Sequence, residues 1–317
     1  MFVPMRIRQA FATGLLALTP ALTGCLTHTR TVMKTRPPDV VLNSTLDQLL
    51  KQTIDRYDAV HSTQLNISMT ISTGGSVEGV EKYANLNGFI VLGKPDNIRV
   101  ILLLPVVSSR ALDMVSDGKA FKMLITFPTR NCAIVGSDQS PPSQKGLASL
   151  RPAVILDSLL IQGLQPDQVV SMTQDSRILE NPRKKNDFIQ DPDYDIEFLS
   201  QAKDQVASTL RVVHIDRQNL LPWRQDIYNA DGKVATQAFY SNYQKFGDIN
   251  FPTKIVIQRP LDELGLTVTV NKAIFNQDLQ EDEFKLDIPE AIPTTNMDDP
   301  ASAAIAPCAA HGTQSPH

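Results

Sequence analysis

The chain has only three cysteines and five histidines in 317 residues, and their scatter leaves no zinc-ligand spacing to read. Positive charge is not in excess. Thirty Lys and Arg stand against 34 Asp and Glu, a formal charge of −4, which excludes a basic nucleic-acid-binding footprint. Aromatic residues make up 6% of the chain, with one tryptophan, so rings that would fill a wide interior are scarce. No Gly-x-Ser-x-Gly elbow occurs, and His28, His61 and His214 stand in unrelated contexts, so no nucleophile with its base is visible. His214, within Leu210-Arg211-Val212-Val213-His214-Ile215, reads as a packed or surface histidine of a strand. Acidic runs such as Glu281-Asp282-Glu283 and Asp298-Asp299 read as solvated. These absences predict no enzyme, no cofactor and no metal site.

Hydrophobic residues, at 42%, suffice for a sizeable core and exclude global disorder. The amino terminus carries Arg6 and Arg8, no acidic residue before Cys25, and an apolar stretch from Ala10 to Leu22 broken by Gly14 and Pro20. That stretch is short of the roughly 20 residues a membrane-spanning helix needs and has the layout of a secretory signal peptide. Its end, Leu22-Thr23-Gly24-Cys25, resembles the bacterial lipobox, in which small residues admit an extended backbone to a peptidase and the cysteine thiolate takes a diacylglyceryl group. The expectation is a signal peptide over 1–24, lipidation of Cys25, and a tether over 25–41 with no apolar period. Removal of Arg6 and Arg8 takes the formal charge from −4 to −6. Leu26 follows the cysteine where aspartate would signal inner-membrane retention, which favours the outer membrane, facing the periplasm.

A helix is expected from Leu42 to about Ser62, with Ser44 and Asp47 as a capping pair and Leu46, Leu49, Leu50, Ile54, Tyr57 and Val60 as its apolar stripe. From Gln64 the period changes to two, and strands are predicted at about 64–72, 83–93, 97–104, 110–116, 119–126 and 131–136. Asp117-Gly118 marks a tight hairpin. A second, strongly apolar helix is expected over about Leu147–Gln162, which reads as deep core or as a plug for an apolar hole. Residues 175–192 read as a loop, and strands resume at about 194–200, 206–216, 221–230, 233–243, 253–260 and 265–274. The tail over 291–317 reads as disordered. The whole predicts a mainly β (α+β) fold: a strongly curved antiparallel half-barrel of 11–12 strands over 42–290, with helices covering its open mouth.

Several segments match a known family in order. Gly93-Lys94-Pro95-Asp96-Asn97-Ile98-Arg99 resembles the strand start K-P-g-x-[FI]-R of LolA/LolB-like lipoprotein-localisation proteins, and Pro105 and Ser116-Asp117-Gly118-Lys119 occupy the places of its next proline and hairpin. Leu221-Pro222, Tyr228 to Gly232, and Phe251 to Ile257 resemble its later hairpins, and Phe284 to Pro289 its closing segment. The resemblance covers roughly 42–290. It implies an incomplete antiparallel barrel closed by helices around an apolar cavity. It also implies acyl chains or lipoproteins as ligand, in the manner of members that carry lipoproteins or receive them at the outer membrane.

The expected cavity and lid residues are Ile67, Met69, Ile71, Val100, Leu102, Leu104, Leu156 and Leu160, although a filled core would present the same list. Arg99 lies inside an apolar strand, where an unpaired guanidinium is costly. The resemblance implies that Arg99 fastens the lid; an outward arginine at a sheet edge is the other reading, and Asp157 on the apolar second helix is the candidate partner for a lid contact. Cys132 and Cys308 are candidates for a disulfide in an oxidising compartment. The alternative to ligand binding is a structural or envelope-sensing lipoprotein that uses the same fold to bind a protein partner.

Overall fold

The computed structural model describes residues 34–301 apart from 75–78, 83, 84, 128, 129, 139, 141–148, 182, 202–205 and 300. Cys25, the signal peptide, His28 and Cys308 lie outside the described residues. Two compact units result, one of residues 34–37 with Ile178–Gln190, the other of Pro38–Arg177 with Asp191 onward.

In the small unit the strand β1 (Thr35–Arg36) runs parallel to the start of β10 (Phe188–Ser200), Thr35 opposite Phe188. Asp187 fixes the preceding turn by accepting from Asn181 Nδ2 at 2.7 Å and from Arg36 Nε at 3.3 Å.

The large unit holds the helix α1 (Leu46–Asp58) and the strands β2 (Ser62–Thr73), β3 (Glu81–Lys82), β4 (Leu86–Gly93), β5 (Asn97–Leu103), β6 (Arg110–Ser116), β7 (Ala120–Phe127) and β8 (Arg130–Ser137). The helix α2 (Pro152–Leu159) follows, then β9 (Gln168–Glu180), which leads into β10. Next come β11 (Thr209–Asp216), β12 (Leu221–Tyr228), β13 (Val234–Phe246), β14 (Ile249–Arg259), β15 (Leu264–Phe275) and β16 (Thr294–Asn296). The sheet path runs β10-β11-β12-β13-β14-β15-β2-β4-β5-β6-β7-β8-β16 and does not close on itself. Neighbours are antiparallel until β16, which lies parallel to β8. Register shifts at Leu102/Leu103, His214/Ile215, Ile227/Tyr228 and Val270/Lys272 supply the local bends of a curved, open sheet.

Period two explains the strands. On β2, Leu65, Ile67, Met69 and Ile71 are buried on one face. They join Val100 and Leu102 of β5 and Ile155, Leu156, Leu159 and Leu160 of the α2 segment in one apolar cluster. A second cluster sets Leu49 of α1 on Tyr194, Ile196 and Phe198 of β10 with Val213 and Ile215 of β11. Asp117-Gly118 turns β6 into β7 as expected: Gly118 has φ 82°, and Asp117 Oδ1 accepts from the Lys119 and Ala120 amides at 2.9 Å.

Five expectations need correction. The first helix is shorter than 42–62, and its cap is Thr45 with Gln48, not Ser44 with Asp47: the Gln48 amide reaches Thr45 Oγ1 while the Gln48 side chain accepts from the Thr45 amide. Within the expected 147–162 helix, α2 begins at Pro152, whose ring suits a first helical turn. Residues 175–192 are not all loop, since β9 extends to Glu180 and β10 begins at Phe188. The segment past 290 is ordered at least over Thr294–Asn296, and Asp298 there accepts from the Ser137 amide and from Ser140 Oγ. β9, β1, β3 and β16 account for the 16 strands where 11–12 were expected. No helix among the described residues is long and apolar enough to cross a membrane.

Candidate functional site

The expected cavity residues come together. Ile67, Met69, Ile71, Val100, Leu102, Leu156 and Leu160 are buried in the one cluster, and Leu104 packs at its margin. In that cluster β2 and β5 pack directly against the α2 segment, and one open space lies to the side, toward α1. There a cleft of about 60 Å³ lies between Tyr57 of α1, Leu160 just past α2, and Pro222, Tyr240, Tyr243 and Phe251 of the sheet.

This cleft has apolar walls and a sparse polar lining. Arg56 donates from Nη2 to the Leu220 carbonyl at 2.9 Å, but its Nη1 is buried without a partner. Tyr243 donates to the Pro222 carbonyl at 2.8 Å, whereas the Tyr240 hydroxyl is buried and unpartnered. Burial holds both phenols well above the usual tyrosine range and pulls the Arg56 guanidinium down. Lys94, from the family-like segment, lies 3.5 Å from the Tyr57 ring centroid and donates to the Tyr57 carbonyl, so that segment holds the end of α1.

Arg99 does not meet Asp157. Val100 and Leu102 face α2, so the alternation of β5 turns Arg99 to the other face. There its Nε and Nη2 bind the two Asp113 carboxylate oxygens at 3.0 and 2.9 Å, and Nη1 donates to the Glu283 carbonyl at 3.0 Å. Asp113, fully enclosed, also takes Arg110 at 2.9 Å. Asp157 sits at the other end of α2, with Gln162 Nε2 3.4 Å from its carboxylate and the positive charge of Arg211 nearby. Burial raises the Asp157 carboxyl to about 6, only partly offset by Arg211, whose own value burial lowers to about 10. Cys132 on β8 is buried and disulfide-bonded; Cys25 and Cys308 both lie outside the described residues.

A polar cluster not evident from the sequence lies on β10–β12. Since Tyr194, Ile196, Val213 and Ile215 face the second apolar cluster, the alternate residues Asp193, Asp195 and His214 share the opposite face. His214 Nδ1 is 2.6 Å from Asp195 Oδ1, and its Nε2 is 3.5 Å from Asp226 Oδ2. Burial alone would lower the His214 pKa, but hydrogen bonding to Asp195 and Asp226 outweighs it and carries the imidazole to about 9. The available signal was the period-two spacing of Asp191, Asp193 and Asp195 ahead of an apolar strand.

A family profile described as "Uncharacterized protein" matches residues 184–287, less than half of the chain. No curated protein matches. Among solved structures, the chain is similar to a LolA superfamily protein from Nitrosomonas europaea, with 13% identity, TM-score 0.46, and 77% of this chain and 99% of that one covered. A DUF1329 family protein from Desulfovibrio piger gives 13% identity and TM-score 0.46, with 75% and 95% covered. An outer membrane lipoprotein-sorting protein domain from Vibrio parahaemolyticus gives 10% identity and TM-score 0.45, with 75% and 94% covered.

Proposed function

We propose that this chain is a lipid-anchored, non-enzymatic envelope protein that takes an acyl chain, free or on a lipoprotein, between α1, α2 and the sheet at the periplasmic face of the outer membrane. The cleft beside Tyr57 and Leu160 is the observation that carries this reading: apolar walls and two buried donors, Arg56 Nη1 and Tyr240 OH, without partners. An acyl ester or carboxylate matches both properties. Its methylenes replace water against Leu160 and Phe251, and its carbonyl oxygen accepts from Arg56 and Tyr240. A cleft of about 60 Å³ is far below the ~300–1,000 Å³ of ordinary ligand pockets, so loading requires the α2 segment to move outward. The lipobox at Cys25 supports the membrane side of the reading.

Displacement of a fluorescent fatty-acid probe from the Cys25→Ser chain tests it. Saturable binding is expected, weakened about 5- to 10-fold in Tyr240→Phe and in Arg56→Met, each of which removes one donor. Equal affinity in both folded variants would contradict the site.

A second reading, docking of a partner protein, is favoured by the β5–β6 connection, where Val106 is fully and Val107 largely exposed. Val106→Glu would then abolish partner capture and leave the fatty-acid probe bound as in wild type.

A further inference from the structure

We infer that Asp193, Asp195 and His214 form a binding site for a divalent first-row metal ion. One donor atom from each of these side chains lies within 4.8 Å of the other two. Donors at about 2.0–2.2 Å from a tetrahedral ion are about 3.3–3.6 Å apart, so loading draws the widest pair in and spreads His214 Nδ1 from Asp195 Oδ1, now at 2.6 Å, each by about an ångström. Asp193 is 3% exposed, and its Oδ1 is buried with no hydrogen-bond partner. A buried carboxylate oxygen without a partner is costly, and a cation shared with Asp195 and His214 removes that cost.

The surroundings also fit a metal ion, which would take the place of the His214 proton. Trp223 donates its indole N–H to Asp193 Oδ2 at 3.1 Å, which holds this carboxylate so that Oδ1 is the free oxygen. Asp226 Oδ2 is 3.5 Å from His214 Nε2, placing a carboxylate behind the ring when Nδ1 is the ligand, the usual outer partner of a metal-bound histidine. Arg224 and Gln237 in turn hold Asp226, at 2.7 and 3.2 Å. Arg224 is taken up by Asp226, so Asp193 and Asp195 share His214 between them, and an incoming cation would displace the proton that His214 now holds against Asp195. The neighbouring Arg177 is already engaged by Asp191 and Asp216, at 2.7 and 3.1 Å. One imidazole and two carboxylates without thiolate suit Zn²⁺, Mn²⁺ or Co²⁺ rather than a soft ion. The register of β10 against β11 builds the site, because Asp195 stands directly opposite His214.

The test is titration of the chelator-treated full chain with Zn²⁺ and with Mn²⁺ by calorimetry. One ion per chain with micromolar or tighter affinity is expected. His214→Gln and the near-isosteric Asp195→Asn each lower affinity at least 100-fold, and Trp223→Phe lowers it 10- to 100-fold by freeing the Asp193 carboxylate. Folding of each variant is checked by circular dichroism. Should His214→Gln fail to fold, Asp195→Asn and the visible absorption of the Co²⁺-loaded wild-type chain decide. No binding to the wild-type chain overturns the site, leaving His214 as a plain hydrogen-bonded partner of the carboxylates. Binding of equal affinity in Asp195→Asn overturns it as well, since the ion then sits elsewhere.

Discussion

Asp113 is fully enclosed and receives both Arg99 and Arg110, so its carboxylate is the acceptor on which one side of β5 and β6 depends. Asp113→Ala leaves the Arg99 guanidinium, itself only 12% exposed, without its charge partner. A loss of roughly 3 kcal/mol in urea denaturation is expected, and a loss below about 1 kcal/mol would show that water replaces the pair. Arg99→Leu lowers stability too. It leaves the off-rate of an acyl probe unchanged, because Arg99 faces away from α2; a slower off-rate would restore a gating role. Asp157 gives the pH dependence. Its folded value of about 6 lies above the ordinary 3.8, so between these values the folded chain holds a proton that the unfolded chain has released. Stability therefore falls as pH rises from about 4 to 6 and levels off above, by on the order of 2 kcal/mol after allowing for partial exposure. Denaturation curves of Asp157→Asn should lack this decline. That Arg99 needed a partner was legible in the sequence; that the partner was Asp113 was not, because the pairing depends on the diagonal register of two strands.

At the scale of the element, α2 is the piece expected to move. It spans eight residues, has no side-chain cap at Arg151 and ends in extended backbone at Leu160. Short helices with open ends are held by packing alone. Its amides are expected to exchange with deuterium faster than those of β2, β4 and β5, and to slow when a fatty acid is bound. Exchange as slow as in the central strands, bound or free, would make α2 a fixed part of the core. Elements with one apolar face were readable, which is why β5, β6 and β12 appear within two residues of their expected limits. β9 was not, since Gln168–Glu180 has no buried residue to set a period. β16 was not either, because three residues of Thr-Thr-Asn gain their order from pairing with β8 rather than from their own pattern.

For the molecule as a whole, the sheet and its two helices were legible in the sequence, whereas the small cleft and the acidic cluster depend on contacts between distant strands. The proposed anchor at Cys25 makes two predictions of its own. Cys25→Ser blocks palmitate labelling and processing before residue 25; continued labelling would remove the anchor. Acylation of Cys25 also leaves Cys308 as the cysteine available to Cys132, so the acylated chain should show no free thiol under denaturing, non-reducing conditions. Whether the body holds an acyl chain is the most direct question. Native mass spectrometry of the Cys25→Ser chain purified from bacterial envelopes tests this. A population heavier than the apo protein by one fatty acid or one acylated molecule is expected, reduced in Tyr240→Phe. A clean apo mass, with no saturable uptake of added fatty acid by the folded chain, would contradict it.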